Sequence, residues 1–91
     1  MGATAAIKIR IMPEGVETNL EDIKKHSKSR IENERAVLHS FEEQPIAFGL
    51  KALIAIVAWP EEKDTQILED LFKSIHGVSQ ADIIDYRRAI G

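Results

Sequence analysis

The chain has 91 residues, of which 44% are apolar, so it is long enough for one compact core and too short for two domains. It contains no cysteine, which excludes disulfides, thiolate catalysis and every cysteine-based metal site. The net charge of −3 favours a protein or a small ligand over a nucleic acid as the partner, because nucleic-acid binders usually carry a basic excess.

The first predicted element is a strand over residues 3–12, in which apolar and polar side chains alternate. The expected buried face consists of Ala5, Ile7, Ile9 and Ile11, with Lys8 and Arg10 on the other face. This alternation, together with the short length of the segment, argues against a signal peptide. No apolar run in the chain reaches the ~18 residues of a membrane span.

A helix is predicted next, beginning after Asn19. Asn19 has the right chemistry for an N-cap, and Glu21 and Asp22 follow in the first turn, where the helix dipole favours acids. Apolar or small residues recur at spacings of three and four and predict one buried stripe. The stripe consists of Leu20, Ile23, Ser27 and Ile31.

Two strands are predicted in the middle of the chain. The first covers residues 36–41 and is interrupted by the polar run 42–45. The second covers residues 48–59 and carries apolar side chains on both faces, which is typical of a central strand. Pro60 ends it.

A second helix is predicted over residues 64–76, with Asp64 or Thr65 as its cap. Its expected core stripe consists of Ile67, Leu68, Leu71, Phe72 and Ile75. Gly77 is placed where a helix C-cap needs a left-handed residue. A last strand over residues 78–88 completes the order strand, helix, strand, strand, helix, strand.

This order predicts an α+β fold of the ferredoxin-like type, a βαββαβ sandwich. We expect a four-stranded antiparallel sheet in the order 4-1-3-2, with both helices on one face, and a single domain over residues 1–91. Topology alone does not decide the function, because this fold serves many. An RNA-recognition module would carry a basic and aromatic motif on the third strand, but residues 48–57 contain one aromatic residue and one lysine.

The sequence predicts neither a metal site nor a catalytic centre. The histidines His26, His39 and His76 do not share the i, i+4 spacing of a helical ligand pair, and the acidic runs 42–43 and 61–64 are typical of solvated loops. Trp59, at a strand end, is expected in the core or at its rim. No combination of nucleophile and base is visible, so we expect no covalent chemistry and no cofactor.

The most informative segment is residues 44–53, at the junction of the second and third strands. Its turn contains Pro45, Ile46 and Phe48, although a solvated turn usually has polar residues. Gly49 permits an unusual backbone torsion or the close approach of another chain. Two interpretations remain open from the residues alone: Phe48 anchors a partner's pocket, or it fastens the hairpin to the core.

The same segment, Gln44-Pro45-Ile46-Ala47-Phe48-Gly49-Leu50-Lys51-Ala52-Leu53, resembles a motif of the elongation factor 1-beta catalytic domain, Pro-[Ile/Val]-Gly-[Phe/Tyr]-Gly-[Ile/Leu]-Lys-Lys-Leu. The ending over residues 82–88 is also similar to that family, whose archaeal members commonly end in an Arg-Arg pair. The opening strand with its Met-Pro turn, the two helices and the length match the archaeal form, so the resemblance covers essentially the whole chain.

The resemblance implies a guanine nucleotide exchange factor that promotes replacement of GDP by GTP on elongation factor 1-alpha. From the charge, the absence of cysteine and the absence of a long apolar run, we also expect a cytoplasmic protein without direct nucleic-acid or membrane contact. A monomer is expected, and the sequence leaves the oligomeric state open. The residues implied in partner binding are Pro45, Phe48, Gly49, Lys51, Arg87 and Arg88. Phe48 matches the aromatic that enters a pocket of the GTPase, and Lys51 matches the first lysine of the motif.

Arg88 falls where the eukaryotic form has the lysine that intrudes on the magnesium site of the nucleotide. The guanidinium of arginine is planar with several donors in a fixed geometry, whereas the ammonium of lysine is a compact point charge. Whether Arg87 or Arg88 approaches the magnesium therefore stays open. Ala47 replaces the family's first glycine, which predicts a stiffer or differently posed loop. The residues leave two other classes open, a small-molecule-binding regulatory module on the same fold and a single-strand or RNA-binding module.

Overall fold

The computed structural model describes residues 3–88, which form one antiparallel sheet and two helices. The elements are β1 (Thr4–Pro13), α1 (Leu20–Asn33), β2 (Val37–Pro45), a one-turn 3-10 helix (Ala47–Gly49), β3 (Lys51–Pro60), α2 (Thr65–Lys73) and β4 (Val78–Arg88). The strand order is β2-β3-β1-β4, which is the predicted order read from the other edge. The ferredoxin-like α+β fold is therefore confirmed.

One hydrophobic core lies between one face of the sheet and both helices. Alternate residues of β1 from Ala5 to Ile11 are buried, as the period of two predicts. The same cluster includes β3 side chains from Leu53 to Trp59, and it is completed by Ile23 and Ile31 of α1 and by Leu68 and Phe72 of α2. Both helices therefore cover the same face of the sheet, as expected.

The helix starts follow directly from the sequence. The side chain of Asn19 accepts hydrogen bonds from the backbone N–H groups of Glu21 and Asp22, at 3.0 and 3.3 Å. Asp64 caps α2 in the same way, accepting from the N–H of Gln66 at 2.9 Å. Both caps satisfy backbone donors that a helix leaves without an internal partner, and both predictions are confirmed.

β2 is longer than predicted, because the polar run after Phe41 does not interrupt it. Residues Glu42 to Pro45 pair in register with Ile54 to Lys51 of β3. β2 is an edge strand, so its side chains reach water more freely than those of a central strand, and a proline is tolerated at its end. β3 accordingly begins at Lys51 rather than at residue 48.

α2 is shorter than predicted, since it ends at Lys73. Ile67 is also not a core residue: its side chain is 42% exposed, because the inner face of this nine-residue helix is taken by Leu68 and Phe72. Gly77 has the expected positive φ of 95°, but it lies beyond the C-cap residue Ser74. It serves the connection to β4 instead of capping the helix directly.

The prediction that β3 is a central strand is confirmed, since β2 and β1 flank it. Trp59 is fully buried, as expected of a core residue, and its indole N–H donates to the carbonyl of Lys63 at 3.3 Å. Within residues 3–88, no helix is long and apolar enough to cross a membrane.

Candidate partner-binding site

The hairpin between β2 and β3 is closed by backbone hydrogen bonds. Pro45 and Lys51 form the last strand pair. Beyond them, the N–H of Ile46 donates to the carbonyl of Leu50 at 2.7 Å, and the N–H of Leu50 donates to the carbonyl of Ala47 at 3.3 Å. The tip therefore has a defined shape instead of an open loop.

Phe48 projects from this tip with its side chain 99% exposed. This exposure excludes the interpretation that it fastens the hairpin to the core. Its backbone is left-handed, with φ 62° and ψ 32°, a conformation that costs an L-residue about 1–2 kcal/mol and is rare for a bulky one. Neither burial nor backbone preference explains an aromatic residue at this position, and such outliers cluster at functional sites.

The two small residues of the tip have different roles. Gly49 has φ 76°, and a Cβ there would have no atom within 4 Å, so glycine is needed for torsion and not for space. Among the described non-glycine residues only Arg35 and Phe48 have a positive φ, so Ala47 has an ordinary backbone. Alanine therefore fits this position without strain, although the related family has glycine there.

Lys51 lies at the base of the same tip and is only loosely held. Its Nζ atom is 3.7 Å from Oε1 of Glu43, whose other oxygen is 3.4 Å from Nζ of Lys24. Exposed ion pairs of this length contribute little to stability, so Lys51 can exchange its partner at low cost. A hydrogen bond from Lys24 to Glu21 is the main cause that raises the pKa of Lys24 above its ordinary value of 10.5.

Arg87 and Arg88 end β4 and are both exposed. The Nε atom of Arg88 is 3.4 Å from Oε1 of Glu61, and that of Arg87 is 3.1 Å from Oδ2 of Asp85. Arg88 is paired with Ala5 of β1, whose side chain is in the core. Arg87 is paired with Ala6 of β1, whose side chain is exposed. The two arginines therefore lie on opposite faces of the sheet.

The face of each arginine is set by an irregularity in β4. The pairing with β1 shifts between Ile9, which is opposite Ile83, and Lys8, which is opposite Asp85. Ile84 is thereby left as an extra residue, a β-bulge that reverses the alternation along the rest of the strand. Without it, the alternation from Ile83 would put Arg87 on the helix side.

The structure brings the sequence-predicted residues together in two groups, not one. Pro45, Phe48, Gly49 and Lys51 lie at the β2–β3 hairpin. Arg88 is opposite Ala5, which in turn is opposite Trp59 near the far end of β3. Lys51 and Trp59 are eight residues apart on one strand, so the two groups are separated by roughly 25–30 Å at about 3.3 Å per residue.

The structure adds two residues to these groups that the sequence did not predict. Val16, in the loop between β1 and α1, is 63% exposed and lines a cleft with Gly49 and Lys51. The sequence feature that could have indicated Val16 is an apolar residue in a turn segment, between Gly15 and Asn19. Glu61 is the partner of Arg88, but nothing in the sequence links residues that only the tertiary structure brings together.

The part of the chain that the structure covers contains no group of three or more His, Asp or Glu residues arranged to hold a metal ion. What the molecule presents is an exposed aromatic on a closed hairpin at one end and two exposed cations at the other. An exposed aromatic anchor is typical of a protein that acts by binding another protein.

Comparison with known proteins identifies this class more closely. Residues 6–89 match the family described as the EF-1 guanine nucleotide exchange domain. The chain is 39% identical over 89 residues to elongation factor 1-beta of Methanosarcina acetivorans, covering 97% of this chain and 99% of the relative. It is 41% identical over 81 residues to elongation factor 1-beta of Methanothermobacter thermautotrophicus, covering 88% and 90%.

A third archaeal relative, elongation factor 1-beta of Metallosphaera sedula, is 38% identical over 84 residues, covering 90% of this chain and 91% of the relative. The chain therefore belongs to the family of EF-1 guanine nucleotide exchange domains. Its function is guanine nucleotide exchange in translation elongation, which confirms the function implied by the resemblance.

Proposed function

We propose that the protein promotes the replacement of GDP by GTP on elongation factor 1-alpha through two contacts, one at each end of its sheet. The observation that carries the proposal is the left-handed, 99% exposed Phe48 at the tip of a closed hairpin. A side chain that contributes nothing to the core and whose backbone is strained is best explained by a partner that buries it.

The first contact is the ring of Phe48 in an apolar pocket of the GTPase. Burying a phenylalanine side chain that is otherwise in water is worth about 2–3 kcal/mol. The backbone strain is already present in the free protein and does not have to be introduced on binding. The hydrogen bonds between residues 46, 47 and 50 hold the tip in shape, so little conformational entropy is lost.

The second contact is a cation from the end of β4 near the magnesium ion that holds the nucleotide. Two unit positive charges about 4 Å apart repel by about 4 kcal/mol at an effective dielectric of about 20. If that repulsion is expressed at the barrier to release, the nucleotide leaves roughly a thousandfold faster. After the metal leaves, the same guanidinium can form charge-assisted hydrogen bonds with phosphate.

Arg88 is the favoured cation, with Arg87 as the alternative. To reach a partner, Arg88 must leave Glu61 and Arg87 must leave Asp85, and each exposed pair costs at most about 1 kcal/mol to break. The two side chains lie on opposite faces of the sheet, so one docked orientation presents only one of them to the metal. Single substitutions can therefore distinguish them.

An exchange factor shifts an equilibrium only by the difference in its affinity for the two states of the GTPase. Two contacts roughly 25–30 Å apart must touch separate regions of that GTPase. Nucleotide-free elongation factor 1-alpha is the state in which both regions would be engaged at once. The loaded state would lose one of the contacts.

We further propose that residues 1–91 act as a single domain and a monomer in the cytoplasm, and that they form no covalent bond with the nucleotide and no direct contact with nucleic acid. One core cluster among the described residues supports the first point, and the net charge of −3 supports the last.

The test is the release of a fluorescent GDP from elongation factor 1-alpha, measured over a range of exchange-factor concentrations. Phe48→Ala should raise the half-saturating concentration, and Arg88→Ala should lower the maximal rate. Arg87→Ala tests the alternative cation, and Arg10→Ala, an exposed arginine in the middle of β1, is the matched control. Equal rates for all variants would refute the residue assignment, and no acceleration by the wild type would refute the function.

A further inference from the structure

The loop between β1 and α1 presents an apolar side chain that the core does not use. Val16 is 63% exposed, although turn positions are usually taken by polar residues or glycine. The neighbours of Val16 along the loop, Gly15 and Glu17, give it no apolar cover. A valine in such a place is not explained by folding.

The loop is held rigidly. The N–H of Thr18 donates to the carbonyl of Gly15 at 3.2 Å, and the N–H of Gly15 donates back to the hydroxyl of Thr18 at 3.1 Å. On one side, Glu14 donates its N–H to the carbonyl of Gly77 at 2.8 Å, and on the other Asn19 caps α1. Val16 therefore has a fixed position, as a preorganised binding surface requires.

This loop and the β2–β3 hairpin enclose a common cleft. The cleft has a volume of about 290 Å³ and is lined by Pro13, Gly15, Val16, Thr18 and Leu20 from the loop side and by Gly49 and Lys51 from the hairpin. Gly49 follows Phe48 directly, so the cleft extends to the residue next to the proposed anchor. Val16 and the hairpin thus belong to one continuous surface.

That surface has the composition of a protein interface. Of the seven large apolar side chains exposed in residues 3–88, three belong to it: Val16, Ile46 and Phe48. The same two segments also carry charged residues, Lys51 on the hairpin and Glu17 on the loop. Exposed apolar residues with charged residues near them are typical of a surface that binds another protein.

We infer that the β1–α1 loop is the second half of the docking surface at the hairpin end, with Val16 as its apolar contact on the GTPase. This inference rests on the proposed function. The partner that covers this loop is elongation factor 1-alpha, the protein that the neighbouring hairpin contacts, because the loop and the hairpin line one cleft.

The test compares Val16→Ser with Val37→Ser in the GDP-release assay. Val37 is 56% exposed and lies at the start of β2, away from the hairpin, so it is the same change at similar exposure. Val16→Ser should raise the half-saturating concentration about three- to tenfold, the loss expected for part of one buried valine, and leave the maximal rate unchanged. Val37→Ser should leave the half-saturating concentration unchanged. Only that quantity is compared, because Val37 lies in the same row of the sheet as Arg87, at the end proposed to affect the maximal rate.

Thermal unfolding of both variants separates binding from folding, since substitutions of exposed residues usually change stability only slightly. If the wild type accelerates release and Val16→Ser matches it, the inference is overturned and the proposed function stands. If Val37→Ser raises the half-saturating concentration as much as Val16→Ser does, the loop has no special role and the inference is also overturned. If the wild type does not accelerate release, the proposed function fails and the inference fails with it.

Discussion

Replacing Phe48 by glycine should stabilise the protein while it weakens its function. The side chain is 99% exposed, so its removal sacrifices no core contact. Its φ of 62° costs an L-residue about 1–2 kcal/mol, a cost that glycine avoids. Glycine also lowers stability by about 0.5–1 kcal/mol through the entropy of the unfolded chain. The net expectation from the midpoints is a rise of about 0.75 kcal/mol in the free energy of unfolding, within limits of about 0 and 1.5 kcal/mol.

For a domain of this size, that rise corresponds to a melting temperature higher by roughly 2–8 °C. The measurements are thermal and urea unfolding by circular dichroism, combined with GDP release from elongation factor 1-alpha. Loss of a buried phenylalanine contact of about 2–3 kcal/mol should raise the half-saturating concentration roughly 30- to 150-fold. Higher stability with weaker exchange would show that the strain serves binding.

Phe72 supplies the control, because it is fully buried in the core. Phe72→Ala should lower the free energy of unfolding by about 3–5 kcal/mol. The reasoning is refuted if Phe48→Gly destabilises the protein by more than about 1 kcal/mol, since an exposed side chain cannot account for such a loss.

Other perturbations test the frame that positions the two ends. Gly77→Ala should destabilise the protein more than Gly49→Ala. Both glycines have a positive φ, but a Cβ at Gly77 would lie 3.0 Å from the methyl group of Thr18, whereas a Cβ at Gly49 would have no atom within 4 Å. Urea unfolding of the two variants would rank their stabilities. Asn19→Ala should cost about 1 kcal/mol by removing the cap of α1, and an unchanged urea midpoint would contradict this. The folded-state pKa of Lys24 is raised above 10.5, so its stabilising effect is fully present below that pH and is lost as the pH rises through the folded-state value. Lys24→Gln should therefore lower stability at neutral pH, and the difference from the wild type should shrink in strongly alkaline urea titrations.

The sequence was sufficient for the fold because its strongest patterns report burial directly. The alternation in β1 and the capping chemistry of Asn19 and Asp64 are local, and the structure has all three as predicted. The sequence predictions were wrong at positions where tertiary context overrides local preference. The polar residues after Phe41 stay in a strand because β2 is at the edge, and Ile67 is exposed because Leu68 and Phe72 occupy the inner face of α2.

The candidate site was harder to predict because its arrangement depends on long-range pairing. The hairpin motif indicated Phe48, but the residues alone could not tell an exposed ring from a buried one. The faces of Arg87 and Arg88 depend on the bulge at Ile84, and simple alternation would have assigned them the other way round. The pairing of Glu61 with Arg88 has no signal in the sequence, since it forms only after β1 lies between β3 and β4.

The separation of the two ends has a consequence for how the GTPase is recognised. β1 is hydrogen-bonded along its length to both β3 and β4, so the interval from the hairpin to the arginines is fixed by a continuous sheet instead of a hinge. In the proposed two-contact mechanism, a rigid body that touches the GTPase at two remote points responds to the distance between those points. Conformers of the GTPase with another spacing would be rejected even if each local contact fitted perfectly.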